Sequence, residues 1–443
     1  MPSLHEAQSR HAAYYKEVLR KANSLYRKGG ETLSLGLLLY ESEWENIRAG
    51  QQWAEMEYER DAKAAQLCNS YPRAGGNLLS LRLHPRERVR WLEVAVKTAQ
   101  LLQDTSSEML HFSSLGKAYK DTSQFNKAIE CHERALLIAR ELDEPHNEGV
   151  AIMNLGIVHQ NIGDPRFAIS FYERSLAIVR KIGDRRTEGN LLGNMGLAYA
   201  ALSEMRRAVE LYNERLAIAR DLNDYRGEGT VLCNLGLAYV ALGEYQLATT
   251  SCLEALKIAR HIGNRRNECT ALNNLGMAQI ALGEYTRAVD YCKQALEIAE
   301  NIGNRRCEYR SLSNLGIANF ESSEYGLAIE FHERALKIAQ EVGNRRNEGR
   351  TLSNLGIVYL KAGDIARAMD LNQKALLLAQ DTHDRRGEAV ALFNIAQAFY
   401  AFGERALAII NAETALVRFE QINHPKAAKV REQLAEWREQ SGA

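Results

Sequence analysis

One tripeptide returns every 40 residues. Asn154-Leu155-Gly156 is followed in strict register by Asn194-Met195-Gly196, Asn234-Leu235-Gly236, Asn274-Leu275-Gly276, Asn314-Leu315-Gly316 and Asn354-Leu355-Gly356. Asn394-Ile395-Ala396 closes the series, and Ser114-Leu115-Gly116 is its imperfect first copy. Self-similarity at a fixed period of this length is the signature of a solenoid, in which each unit packs on its neighbours. A chain of 443 residues built this way grows by adding units, so its length does not count globular domains.

Within one unit, residues 185–224, two helical faces can be read. Leu192, Met195, Ala198 and Tyr199 share the first. Ala208, Leu211, Tyr212, Leu216 and Ala219 share the second, with Arg215 its one polar member. Leu202-Ser203-Glu204 between them, Leu-Gly-Glu in the units at 242 and 282, is too short for anything but an antiparallel turn. Gly183, Gly263, Gly303 and Gly343 suit the left-handed position that ends a helix. The next residues, Asp184, Asn264, Asn304 and Asn344, are good N-caps. Alanine stands in one column from Ala128 to Ala408, and glycine in another from Gly116 to Gly356. Both columns predict close helix approach, where a larger side chain forces the pair apart.

Composition narrows the function classes. Net charge is zero with both signs evenly mixed, which argues against nucleic acid and membrane surfaces as partners. No apolar run is long enough to span a bilayer, and the first residues lack the apolar core of a secretory signal. Seven cysteines, an odd number at mostly helical positions, suit a reduced, cytoplasmic protein. The only Gly-Lys pair, Gly116-Lys117, is followed by Ala118, so no phosphate-cradling loop is present and no cofactor is implied. His132-Glu133 and His332-Glu333 lack a histidine at the fifth place, and no nucleophile and base are grouped. The expectation is a protein that is not an enzyme.

The columns resemble the tetratricopeptide repeat: a large residue at Leu192, Met195 beside Gly196, an aromatic at Tyr199, then Ala208 and Tyr212. The resemblance covers residues 105–424 in eight copies, each longer than the usual repeat of the family. With its N-L-G and G-D/N-R-R-x-E signatures, this longer form resembles the subclass in Pins/LGN-type adaptors and in bacterial STAND-class signalling ATPases. It implies an all-α, right-handed superhelix with helical caps. Residues 1–104 form the N-terminal cap, with a degenerate repeat whose helices cover Gln66–Leu83 and the stretch around Trp91; residues 425–443 form the C-terminal cap, opened by Pro425. The stretches His11–Tyr15, Glu43–Ala49 and Trp53-Ala54 resemble the segment joining the ATPase core to its repeat sensor in STAND proteins. Two functions follow: a sensor module attached to a nucleotide-binding ATPase domain, or a free-standing adaptor joining proteins.

In this family the first helices line the concave face, and the resemblance places the ligand there. The candidate contacts are Asn154, Asn194, Asn234, Asn274, Asn314, Asn354 and Asn394, with Asn190, Arg310 and Arg350 four residues before a member of the column. An amide both donates to and accepts from an extended peptide backbone. The same side chains could instead bond backbone or neighbouring helices and hold the stack. Arg310 and Arg350 stand in adjacent units, so an acidic side chain or C-terminal carboxylate is expected between them. The pairs Arg185-Arg186, Arg265-Arg266, Arg305-Arg306, Arg345-Arg346 and Arg385-Arg386, each followed by a glutamate, read as ion pairs between units or as a basic stripe for an acidic partner. Cys252, Cys292 and His332 share a column with Tyr172 and Tyr212, which makes it a packing slot and not a metal site.

Overall fold

The structure is a computed structural model that describes residues 3–28, 31–422 and 424–440, without the side chain of Glu31. Every regular element among them is an α-helix, 21 in all, and consecutive helices pack as pairs. The chain forms two compact units, Met1–Tyr225 and Arg226–Ala443.

The repeat reads directly into local structure. The unit at 185 is the helix Arg185–Ala201 followed by Met205–Asp221, and the unit at 265 is Arg265–Ala281 followed by Tyr285–Asn301. Asp184 caps its helix by accepting from the backbone N–H of Thr187, and Asn264, Asn304, Asn344 and Asp384 repeat the contact two or three residues into theirs. Gly183, Gly263, Gly303 and Gly343 have φ of 69°, 65°, 63° and 70°, the left-handed region glycine enters without a steric penalty.

The glycine column has a specific reason. A Cβ on Gly156 or Gly196 would lie 2.5 or 2.4 Å from the ring of Tyr172 or Tyr212. On Gly236 and Gly276 it would lie 2.2 and 2.3 Å from the sulfur of Cys252 and Cys292, and on Gly316 2.5 Å from the His332 ring. Each glycine is therefore the socket for the side chain 16 residues later, on the second helix of the same unit. Ala168, Ala208, Ala248 and Ala288 are fully buried beside these sockets.

The first unit opens with three longer helices, Leu4–Lys28, Glu31–Glu57 and Ala62–Arg82, and then Pro85–Leu101 of the repeat length. The third begins four residues before the expected Gln66, because Asp61 caps it through the N–H of Lys63, and it runs through Pro72. Tyr71 donates to the carbonyl of Ala12 at 2.7 Å, and Trp91 stacks on Trp44 with centroids 6.0 Å apart. In the second unit the last helix, Lys426–Glu439, lays Val430, Leu434 and Trp437 on Phe393 and Phe419. That spacing of four and three residues gives an apolar inner face and leaves the charges outside.

Candidate functional site

The asparagine column divides into two groups. Asn274, Asn314 and Asn394 are buried, and their Nδ2 atoms donate to the backbone carbonyls of Cys233 at 2.9 Å, Asn273 at 3.1 Å and Ser353 at 3.1 Å. Each acceptor lies 41 residues earlier, on the preceding first helix, so these amides tie successive units. Asn154 is also buried and reaches the Ser113 hydroxyl at 3.5 Å. Asn194, Asn234 and Asn354 are half-buried and make no side-chain hydrogen bond among the described residues, and Asn190 is exposed.

Arg310 and Arg350 do meet. They line one cavity of 560 Å³ in the second unit, with Asn314 and Asn354. Arg310 is held there by Asn274, whose Oδ1 accepts from Nη2 at 2.7 Å. Arg350 donates to the Tyr309 hydroxyl at 3.3 Å and lies 5.5 Å from the centre of its ring. Three further cations, Arg346, Arg386 and Lys426, line the same cavity. Arg346 is paired with Asp384 at 3.6 Å. Arg310, Arg350, Arg386 and Lys426 have no carboxylate partner among the described residues.

The surrounding protein leaves its mark on these groups. Burial lowers the pKa of the Arg310 guanidinium. It also lowers that of the Lys426 ammonium, with Arg386 and Lys429 adding like-charge repulsion. Uncompensated cations drawn together in a partly desolvated cleft are a standing attraction for an anion.

The arginine pairs split by role. The first arginine of a pair serves the scaffold: Arg185 reaches Glu188 at 2.6 Å, Arg265 reaches Glu268 at 2.6 Å and Arg305 reaches Glu308 at 2.8 Å. Arg180 and Arg260, from the preceding second helices, complete the clamps on Glu188 and Glu268 at 2.7 and 2.9 Å. The second arginine lines the cavity at 346 and 386. Sequence reasoning left each pair between an ion-pair array and a basic stripe for an acidic partner, and did not separate Arg346 and Arg386 from their neighbours. It also missed Lys426, which comes from the capping helix. The doubled arginine itself was the available signal, since the first of each pair and the arginine of the preceding helix already serve the glutamate at 188 and 268.

A second cavity of 570 Å³ continues the first, sharing Asn354, Val390 and Lys426 and adding Phe320, Phe393 and Lys429. The combined groove is cationic at one end and amphipathic at the other. Among the described residues no cluster of His, Cys, Asp or Glu could hold a metal ion. No described helix is long and apolar enough to cross a membrane.

Paired helices in register with a groove along the first helices define a helical-repeat binding protein. The tetratricopeptide repeat profile matches residues 106–181, 149–221, 227–301 and 307–381, more than half of the chain, and the chain belongs to that family. Among solved structures it is similar to a signal transduction ATPase with numerous domains (STAND) bearing a tetratricopeptide repeat sensor, from Pyrococcus horikoshii. That likeness has a TM-score of 0.57 at 16% identity, over 95% of this chain and 64% of that one. A Rap protein complexed with competence and sporulation factor gives 0.51 at 13% identity, over 76% of this chain and 98% of that one. BtubC from P. vanneervenii gives 0.43 at 24% identity, over 48% and 91%. No curated protein matches the chain in sequence.

Proposed function

We propose that the second unit binds a peptide or protein segment bearing a carboxylate, which sits among Arg310, Arg350, Arg386 and Lys426. The rest of the segment runs along the first helices of the same unit, with the free amides of Asn234 and Asn354 gripping its backbone; Asn190 and Asn194 offer theirs separately, in the first unit. One observation carries this reading: four unpaired cations converge in one cavity whose one lining carboxylate, Asp384, is paired with Arg346. Arginine grips a carboxylate through a bidentate fork, and the neighbouring amphipathic cavity suits the flanking side chains. Asn274, Asn314 and Asn394 serve this site through the scaffold, and Asn274 also positions Arg310.

The wider role proposed is that of the sensor segment of a STAND-type signalling ATPase in the cytoplasm. Ligand in the groove would favour one arrangement of the repeats and so shift the activity of an attached nucleotide-binding domain. The resemblance of residues 11–54 to the linker of that class supports this over the free-standing adaptor. A nucleotide-binding domain encoded in frame with this chain would favour the sensor, and its absence from the transcript the adaptor.

The binding claim is tested by capture from a lysate of the native host, with wild type and Arg350→Ala/Arg386→Ala side by side. Partners identified by mass spectrometry should be lost from the double variant and weaken with rising salt, while its melting temperature holds. Equal capture by both proteins would overturn the carboxylate site.

A further inference from the structure

Two cysteines face each other where the units at 265 and 305 meet. The seam is marked by Asn273, whose Nδ2 donates to the Ser311 hydroxyl at 3.0 Å across the two first helices. Four residues before each, one helical turn nearer the N-termini, stand Cys269 and Cys307. The same network holds both: Asn273 Nδ2 is 3.5 Å from the Cys269 sulfur, and Ser311 donates to the Cys307 carbonyl at 3.0 Å. The Cys269 thiol donates to the Ala295 carbonyl at 3.3 Å, and the two sulfurs are near enough to shift each other's pKa in opposite directions. At the position of Cys307 other units carry Ser107, Asn147, Thr187, Gly227, Asn267, Asn347 and Gly387. At that of Cys269 they carry Met109, Gly149, Gly189, Gly229, Tyr309, Gly349 and Ala389. Cysteine therefore stands in both of these first-helix columns at this one junction of the repeat array.

The surroundings of Cys307 are those of a thiolate. It lies in the first turn of the helix Arg305–Glu321, where unsatisfied N–H groups favour negative charge. The N-cap Asn304 accepts from its backbone N–H at 3.2 Å and donates its amide to the sulfur at 3.4 Å. The thiol is held below its ordinary pKa by the neighbouring Cys269 side chain, helped by the Thr270 hydroxyl and the guanidiniums of Arg310 and Arg266, with burial opposing. Elsewhere burial dominates: with help from nearby carboxylates it pushes the thiols of Cys68 and Cys131 up to about 12. Cys307 keeps 5% of its surface open and Cys269 none, which fixes the order of reaction.

We propose that Cys269 and Cys307 form a peroxide-sensitive dithiol, with Cys307 the sulfur oxidised first and Cys269 its resolving partner. The Cys307 thiolate attacks one oxygen of hydrogen peroxide. An S–O bond forms, the O–O bond breaks, and the departing hydroxide takes a proton to become water. The Cys269 sulfur then displaces the sulfenic hydroxyl. The S–S bond forms, the S–O bond breaks, and the hydroxyl leaves as a second water with the Cys269 proton. Two thiols are oxidised, one peroxide is reduced, and a dithiol reductant reverses the step. The product staples the first helices of two adjacent units, three residues from Arg310. The site does not depend on what the groove binds.

The test uses the folded full chain. It is treated with hydrogen peroxide, its remaining thiols are blocked with N-ethylmaleimide, and it is digested without reduction and mapped by mass spectrometry. The expected product is one linked peptide pair joining Cys269 to Cys307, lost on adding dithiothreitol, with the other five of the seven cysteines alkylated. In Cys269→Ser, dimedone should trap a sulfenic acid at Cys307, and Cys292→Ser should leave the linkage intact. Were either serine variant to unfold, the wild-type map still decides. No linkage in the folded protein, a linkage to another cysteine, or one that forms only after denaturation would each overturn the proposal.

Discussion

Arg310 donates through Nη2 to the side-chain oxygen of Asn274 at 2.7 Å, while the Asn274 amide nitrogen donates to the carbonyl of Cys233 at 2.9 Å. A residue of the repeated tripeptide thus fixes the preceding helix with one end and aims a groove cation with the other. The two ends of the amide separate what the repetition itself confounds, stacking and ligand contact.

Asn274→Ala removes both bonds. The Cys233 carbonyl keeps its helical donor but loses the tie to the next unit, a net hydrogen bond worth about 0.5–1.5 kcal/mol. It also frees a guanidinium that the groove uses. Urea unfolding should show the stability loss, and partner capture should weaken in the same variant. Capture at wild-type strength after correction for the folded fraction would mean that Arg310 needs no anchor.

Two glycine columns should respond differently to alanine. Gly276→Ala drives a Cβ to 2.3 Å from the buried Cys292 sulfur, an overpacking expected to cost about 1–3 kcal/mol. Gly243→Ala meets nothing within 4 Å, and its cost is conformational alone, about 1 kcal/mol for a left-handed backbone at φ 79°. Adding Cys292→Ala should rescue Gly276→Ala and leave Gly243→Ala untouched. Equal effects of the double change in both backgrounds would contradict the socket.

Stability should fall on the acid side. Burial holds the His332 imidazole neutral, with a pKa of about 4, helped by the charge of Arg350, and burial with Lys117 holds His132 at about 3. Both lie below the unfolded value of about 6.5, so the unfolded chain binds protons first. Their contribution is whole above about pH 6.5 and is lost as pH falls toward 4, at a limiting slope of about 1.4 kcal/mol per pH unit for each histidine. Asn372 fills the equivalent socket over Gly356, so His332→Asn should keep the fold and flatten the dependence. An unchanged slope in denaturant melts from pH 7 to 5 would refute this assignment.

Ala288→Leu should damage the array locally. Ala288 is fully buried at the close approach of its helix pair, whereas Gln246 is exposed. Overpacking there costs about 1–3 kcal/mol, and Gln246→Ala should cost little. Coupling in a repeat array runs between neighbours, so hydrogen exchange should rise most in residues 265–344. A uniform rise from end to end would show long-range cooperativity instead.

The sequence determined the helices, their caps and their pairing, because each is written in local chemistry. A fixed period sets which residues meet, Asn264 or Asp184 starts a helix whatever lies around it, and Gly263 ends one. It also named Arg310 and Arg350 and placed them together, because helical spacing and a 40-residue step are enough for that. It could not assign the ends of an amide: whether Asn274 faces a carbonyl or Asn354 faces the groove depends on how far one helix rides over the next. Nor could it divide Arg345 from Arg346, which are adjacent in the chain and about 100° apart around a helix. Lys426 joined the cavity only through the docking of Val430, Leu434 and Trp437, and Cys269 met Cys307 only through the tilt of two first helices. These contacts join residues distant in the chain, and packing geometry, not local propensity, sets them.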